Sequence, residues 1–252
     1  MNPGLIKLIR ARLDLDWSPE QIAGRLRLEG YSISHERIYQ YIREDKQDGG
    51  LLYKHLRRKG KKYNHRVSGK AGRGYIPNRL DIEQRPQIIE DKGRIGDWEG
   101  DTIIGAEHKG AIVSYLERRS KFTLLAKVPD KTAAMVTAAT LTQFHMIGLP
   151  VLSITYDNGK EFSNHEAITK ALKAPCYFAK PYHSWERGLN EHTNGLVRQY
   201  LPKKTKFTEL TQEKLEVIAN KLNHRPRKSL KYLTPIEFLH QELAKLDPVP
   251  DG

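Results

Sequence analysis

"WEGDTIIGAEHKGAIVSYLERRSKFTLLAKV", residues 98–128, holds three apolar, β-branched runs: "WEGDTIIGA" (98–106), "AIVSYLER" (111–118) and "KFTLLAKV" (121–128). Runs of this length, broken by turn-forming residues, predict three successive strands joined by tight turns. Downstream the period changes. A helix is expected from Lys131 to about Ile147, then a strand over 151–156, a helix near 164–173 and the short strand "CYFA". Three meandering strands followed by alternating helix and strand predict an α/β fold, a mixed five-stranded sheet flanked by helices. The remainder reads as helical, interrupted at Pro202, at "NHRPRKSL" and before Pro235.

Upstream, the first fifty residues read as three helices. Leu5, Leu8, Ile9 and Leu13 fall at helical spacing. In "WSPEQIAGRLRLEG", Ser18 is a cap, Pro19 suits the first helical position and Gln21 completes a capping box. Gly30 ends that helix. Ser34 caps the next, "HERIYQYIRE", in which Ile38, Tyr41 and Ile42 face inward and Glu36, Arg37, Gln40 and Arg43 outward. Two short helices across a Gly-containing turn make a helix-turn-helix, whose second helix would lie in the DNA major groove; a small helical subdomain without that role has the same periodicity.

Charge favours the nucleic-acid reading. The 252-residue chain carries a formal charge of +13, a surplus that suits a polyanionic partner. Between Leu51 and Leu80 there are ten basic residues and no acid, among them Arg57, Arg58, Lys59, Lys61, Lys62 and Arg66. Such a stretch cannot bury a core and reads as a linker. Its cations would release counterions on meeting phosphates, and Tyr63 can stack on a base. The single Cys176 excludes an internal disulfide. The amino terminus lacks a secretory signal, and residues 132–156, although free of Asp, Glu, Lys and Arg, contain Gln143, His145, Gly148 and Pro150, which speaks against a membrane span. The expectation is a soluble intracellular protein without a membrane partner.

Three acids then stand out. Asp157 follows the apolar run "VLSITY" and opens "DNG", which is either turn punctuation or a carboxylate at a buried strand end. Asp101 sits inside the strand "WEGDTIIG", on the face of Glu99, Ile103 and Gly105. It is either an acid on an edge strand or a buried carboxylate that needs a base, a hydrogen-bond cluster or a metal. If residues 185–200 are a helix, Glu191, Asn194, Gly195 and Arg198 share one face; the alternative is an ordinary surface helix. Together the acids are suitable oxygen ligands for Mg²⁺ or Mn²⁺, and two such ions can promote phosphodiester chemistry.

At this point "GDWEGDTIIG", "YDNGKEF" and "RGLNEHTNGLVRQYLPK", in that order and spacing, resemble the DDE transposases of the insertion-sequence-thirty family, with retroviral integrases as more distant relatives. The likeness spans roughly residues 17–245, including "WSPEQIAGRL" and "LNHRPRKSLKYLTPIEFL". It implies a ribonuclease-H-like fold, Asp101, Asp157 and Glu191 as catalytic and metal-binding triad, and two Mg²⁺ ions with Mn²⁺ as substitute. It implies nicking at transposon ends followed by attack of the freed 3′ hydroxyl on target DNA. His183, Arg187, Asn194 and Arg198 are candidate DNA contacts near the scissile phosphate, and His183 a candidate for proton transfer. Asp97, Glu99, Glu161 and Glu186 read as ordinary ion-pairing or solvated acids, Asn158 as a loop support, and Trp98 and Trp185 as packing residues. The implied division is a helix-turn-helix domain (1–50), a basic linker (51–92), the catalytic domain (93–246) and a tail (247–252). Partners would be transposon terminal inverted repeats, target DNA and a second copy of the chain, in a bacterial cytoplasm at the nucleoid. Family members usually carry a further DNA-binding segment ahead of the helix-turn-helix, whereas this chain opens almost directly on that motif. The competing readings are a non-catalytic DNA-binding regulator and a nuclease that cuts without joining.

Overall fold

Ser18 does what its position predicts: its hydroxyl accepts from the Gln21 backbone, while the Gln21 side chain accepts from the Ser18 N–H at 2.8 Å. The structure, a computed structural model, describes residues 1–57, 76–180 and 188–246. The capped helix is α2 (Pro19–Leu28), between α1 (Pro3–Asp14) and α3 (His35–Gln47), the latter capped by Ser34. Ile9, Leu13, Trp17, Ile22, Leu26, Ile38 and Ile42 form their common core. Glu36 and Arg43 lie exposed on α3, 3.0 Å apart, and Arg37 reaches Glu44 at 2.8 Å.

The chain forms two compact units, Met1–Gly69 with His224–Gln241 and Lys70–Asn223 with Glu242–Gly252. The stretch 224–241, read from sequence as part of the catalytic domain, thus belongs by contact with the amino-terminal helices. The stretch read as a linker also carries structure at both ends. A 3₁₀ turn at Leu52–His55 packs against the helical core, and a short helix, α4 (Gln87–Glu90), comes shortly before the first long strand.

Among the described residues the second unit is built on a six-stranded sheet in the order β1-β6-β5-β2-β3-β4. Its members are β1 (Leu80–Asp81), β2 (Asp97–Ile104), β3 (Ala111–Glu117), β4 (Thr123–Val128), β5 (Ser153–Tyr156) and β6 (Cys176–Phe178). The meander β2-β3-β4 is antiparallel, as expected, and β5, β6 and β1 continue the sheet in parallel. The expected count of five is corrected to six. The extra strand is two residues at the sheet edge, too short for any alternation to announce it.

Helices cover both faces. On one, Trp98 meets Phe144 of α5 (Ala133–Ile147) edge-on at 5.1 Å and donates to the Pro150 carbonyl at 3.0 Å; α6 (His165–Leu172) contacts both α5 and β6. On the other, Ile103, Ile112 and Leu125 pack on Leu196, Val197 and Leu201 from α7 (Gly188–Tyr200) and the segment just after it. Leu215, Ile218 and Leu222 of α8 (Gln212–Asn223) join the same core. Burying these apolar side chains contributes about 1.5–3 kcal/mol each, before entropy is charged against it. Among the described residues no helix is long and apolar enough to cross a membrane. Cys176 is buried in β6, and that burial pushes its thiol up to about 11.

Buried charges cluster around the start of β2 and the end of β3. Glu99 pairs with Arg118, both nearly inaccessible; Asp97 accepts from Arg94 at 2.9 and 3.1 Å and from Ser153 at 2.7 Å. Glu117 accepts from Gly96 and Ser120, and burial raises its carboxyl above the usual range. Lys121 donates to the Arg118 carbonyl; burial, with Lys92 nearby, pulls its ammonium down to about 8. Below that pH the group is charged in both folded and unfolded chains and its burial cost is felt in full. Above it the folded chain gives up the proton first, so the cost fades until the unfolded lysine titrates near 10.5. Lys121→Met should therefore raise Tm at pH 7 relative to the parent, with the difference closing as pH rises from about 8 to 10.5; a difference that grows with pH would refute this.

Candidate active site

Asp101 occupies the central strand of a covered sheet, not an edge. β2 is flanked by β5 and β3, and the contacts of its side chains alternate as the strand period requires. Trp98 meets α5, whereas Ile103 packs with α7 and α8. Asp101 shares the α7 face. Its Oδ2 accepts from the Asn194 amide at 2.7 Å, and its Oδ1 from the Thr102 N–H at 2.8 Å. The Asn194 carbonyl oxygen accepts in turn from the Ser114 hydroxyl at 3.1 Å, on the residue paired with Asp101 across the sheet. The amide is thus held at both ends, and it holds the carboxylate.

Asp157 lies one residue past β5. The parallel register pairs Trp98 with Ile154 and Glu99 with Thr155; continued two residues, it brings Asp157 level with Asp101. Asp157 is also a turn residue, its Oδ1 accepting from the Gly159 N–H at 2.9 Å. The two roles coexist. Gly159 is there for room: its φ of −68° is ordinary, but a Cβ would stand 2.6 Å from Glu161 Oε2 and 2.9 Å from Asp157 Oδ1. Gly100 likewise leaves space for the rings of Tyr156 and Tyr115, whose atoms would come within 2.4 and 2.8 Å of a Cβ. Asn158 supports the loop as expected, donating to the Ala179 carbonyl at 2.6 Å and accepting from Arg79.

Glu191 is exposed in the first turn of α7, one turn before Asn194. Asn194, and so the helix that carries Glu191, is tied to Asp101. Among the described residues no three or more His, Cys, Asp or Glu side chains stand close enough to hold a metal ion as arranged. The structure therefore brings Asp101 and Asp157 to one level and leaves Glu191 on the helix beside them. His183, Trp185, Glu186 and Arg187 lie outside the described residues, as do Arg58, Lys59, Lys61, Lys62 and Arg66.

The remaining candidates divide by contact. Arg198 donates to the Ile104 carbonyl at 2.7 Å and lies over the Phe207 ring, so it fastens α7 to the end of β2. Asn194 serves Asp101. Glu36, Arg37, Gln40 and Arg43 line the outer side of α3, and Arg57 is exposed. Asp97 and Glu99 are ion-paired within the core, as expected. Glu161 is the residue underrated from sequence: it is buried, accepts from the Thr102 hydroxyl at 2.8 Å and lies 3.8 Å from Lys131. Its place four residues after Asp157 was the available signal, but such spacing says nothing of burial.

The fold is of the ribonuclease-H-like, integrase-core class: a chain of a simian T-cell lymphotropic virus intasome superposes with a TM-score of 0.50 over 74% of this chain and 64% of that one, at 18% identity. No family model matches the sequence. Individual relatives do. The chain is 50% identical over 242 residues to the transposase for insertion sequence element IS4351 of Bacteroides fragilis, covering 96% of this chain and 74% of that protein. It is 36% identical over 259 residues to transposase InsI for IS30A of Escherichia coli K12, covering 98% and 67%. It belongs to the IS30 family of insertion-sequence transposases, and is thus a DNA transposase, a polynucleotidyl transferase that depends on divalent metal.

Proposed function

We propose that Asp101, Asp157 and Glu191 are the catalytic carboxylates, and that they hold two Mg²⁺ ions, for which Mn²⁺ can substitute. The observation that carries this reading is the β2–β5 register, which, continued two residues, sets Asp101 inside β2 level with Asp157 just past the end of β5. It is supported by donor chemistry: all three offer the hard oxygens that such cations favour. When bound, the ions supply positive charge at the attacking and leaving oxygens of the phosphodiester.

The chain's own residues do the rest. Asn194 and the Thr102 N–H hold the Asp101 carboxylate in one orientation, and the Asp157–Gly159 turn does the same for Asp157. The reaction is hydrolytic nicking at a transposon end, releasing a 3′ hydroxyl, which then attacks a target strand with no covalent enzyme intermediate. The outer side of α3 (Glu36, Arg37, Gln40, Arg43) and the basic stretch 57–66 bind the terminal repeats. His183, Arg187, Asn194 and Arg198 lie near the scissile phosphate in this reading, although Arg198's contacts assign it first to fastening α7. A dimer on DNA would supply the two active sites that two ends require.

Incubation with the element's own labelled ends and Mg²⁺ should give nicked and then joined products. Cleavage without joining would reduce the chain to a nuclease, and binding without cleavage would defeat the catalytic assignment. Asn194 is a positioning residue here. Asn194→Ala should raise the Mg²⁺ concentration for half-maximal cleavage about 10-fold or more while end binding is unchanged; a loss of rate with an unaltered Mg²⁺ dependence would mean that Asn194 does not act through Asp101.

A further inference from the structure

The amino-terminal helical unit is completed by chain from far downstream, His224–Gln241. Three separate contacts hold that segment on α2. The Tyr232 ring lies against Gly24, where a Cβ would stand 2.2 Å from ring carbons. Arg25 donates both terminal nitrogens to Glu237, at 2.9 and 2.7 Å. Lys228 reaches Glu20 at 2.7 Å. Glu237 also forms a reciprocal cap with Thr234 at the start of α9 (Pro235–Leu243), so the ion pair with α2 and the beginning of α9 share one carboxylate. Ahead of that cap, Lys231 and Tyr232 adopt φ of 52° and 67°. Two consecutive side-chain-bearing residues in the left-handed region hold that shape only where surroundings over-determine it. The segment is built to dock.

Its charge suggests what the docking is for. "HRPRKSLK", 224–231, contains Arg225, Arg227, Lys228 and Lys231 and no acid. Lys228 and Lys231 are exposed. In a helix-turn-helix the first helix crosses the sugar-phosphate backbone while the second enters the groove. If α2 is that first helix, the backbone phosphates would pass its first turn, where Lys228 is held by Glu20. We infer that residues 224–241 are a third part of the DNA-binding module, with Lys228 and Lys231 contacting backbone phosphates, and that the catalytic core is an insertion within this module's chain. The inference rests on the reading of α2 and α3 as a DNA-binding helix-turn-helix.

The test uses the full chain, a labelled 40-bp duplex of arbitrary sequence, and affinity measured across a salt series. Lys228→Ala/Lys231→Ala should lower the slope of log K against log salt by about 1.8, two phosphate contacts' worth, and weaken binding about tenfold or more near 0.1 M salt. Arg25→Glu should undock the segment, producing a similar loss with both lysines intact and faster protease cleavage within 224–241. Adding Glu237→Arg, which re-forms the ion pair but gives up the cap on Thr234, should restore binding and protection in part; a double variant no better than Arg25→Glu alone would overturn the docking. Arg37→Ala/Arg43→Ala on α3 is the comparison. An unchanged slope for the lysine pair, beside a loss for the α3 pair, overturns the inference and leaves the helix-turn-helix reading standing. Loss for the lysine pair with none for the α3 pair upholds the phosphate contacts and removes α3 from the reading. Loss for neither removes both.

Discussion

Asp157→Asn is expected to abolish strand cleavage and strand transfer together, by about 10³-fold or more, with duplex affinity and Tm close to the parent's. The magnitude follows from removing one carboxylate that holds positive charge against the reacting phosphodiester, an effect of several kcal/mol, where each 1.36 kcal/mol is about tenfold in rate. Folding should survive, because the asparagine side-chain oxygen can still accept from the Gly159 N–H in the turn. Asp101→Asn should lose cleavage alike but also lower Tm, since its single side-chain oxygen can accept from only one of the two donors, the Thr102 N–H and the Asn194 amide, that the carboxylate satisfies with two. Gel assays of nicked and joined products on the element's own ends, beside a binding measurement, separate the possibilities. A variant that retains cleavage within about tenfold of the parent would take Asp157 out of the catalytic set, whereas one that loses DNA binding too would make its role structural.

Arg118→Met is the second large effect, and it concerns stability. Glu99 and Arg118 are buried as a pair, with side chains 1% and 4% exposed, and among the described residues Glu99 Oε2 has no hydrogen-bond partner. Removing the guanidinium leaves a carboxylate in the core without its principal compensation, which costs about 3–5 kcal/mol. Arg118 also donates to the Ile89 carbonyl at 3.2 Å, so α4 loses a tie to the sheet in the same substitution. Urea unfolding should show the drop. Glu99→Met/Arg118→Met should recover most of it, because replacing both charges by apolar groups of similar volume is often neutral. A single variant within about 1 kcal/mol of the parent would mean that water reaches Glu99 and that the pair is not truly buried.

The two predictions treat acids two residues apart on one strand, Glu99 and Asp101, in opposite ways. Glu99, in the first half of β2, meets an arginine just past the end of β3; Asp101, two residues further along, meets an amide from α7. Their sequence context, "WEGDTIIG", makes both inward-facing acids on the same face, and nothing local says which is neutralised by a base. The partners, Arg118 and Asn194, come from β3's end and from α7, 19 and 93 residues away. A carboxylate's role is set by what the fold brings to it.

The sequence by itself determined the elements. The capping residues Ser18, Pro19, Gln21 and Ser34, the three meandering strands, the following helix and the strand ending at Tyr156 are all local in origin, arising from φ/ψ preference, side-chain period and cap chemistry. It also marked Asp101 and Asp157 as acids at odds with their apolar surroundings. Tertiary structure alone decided that β2 lies at the centre of the sheet, that Asp101 and Asp157 come level, and that Asn194 bridges Ser114 and Asp101. It alone added β1 at the edge and docked 224–241 on α2. The physical reason is one of range: helix caps and strand alternation are satisfied within a few residues, whereas strand order, ion-pair partners and ring-on-glycine contacts depend on chain segments tens to hundreds of residues apart, which only packing can bring together.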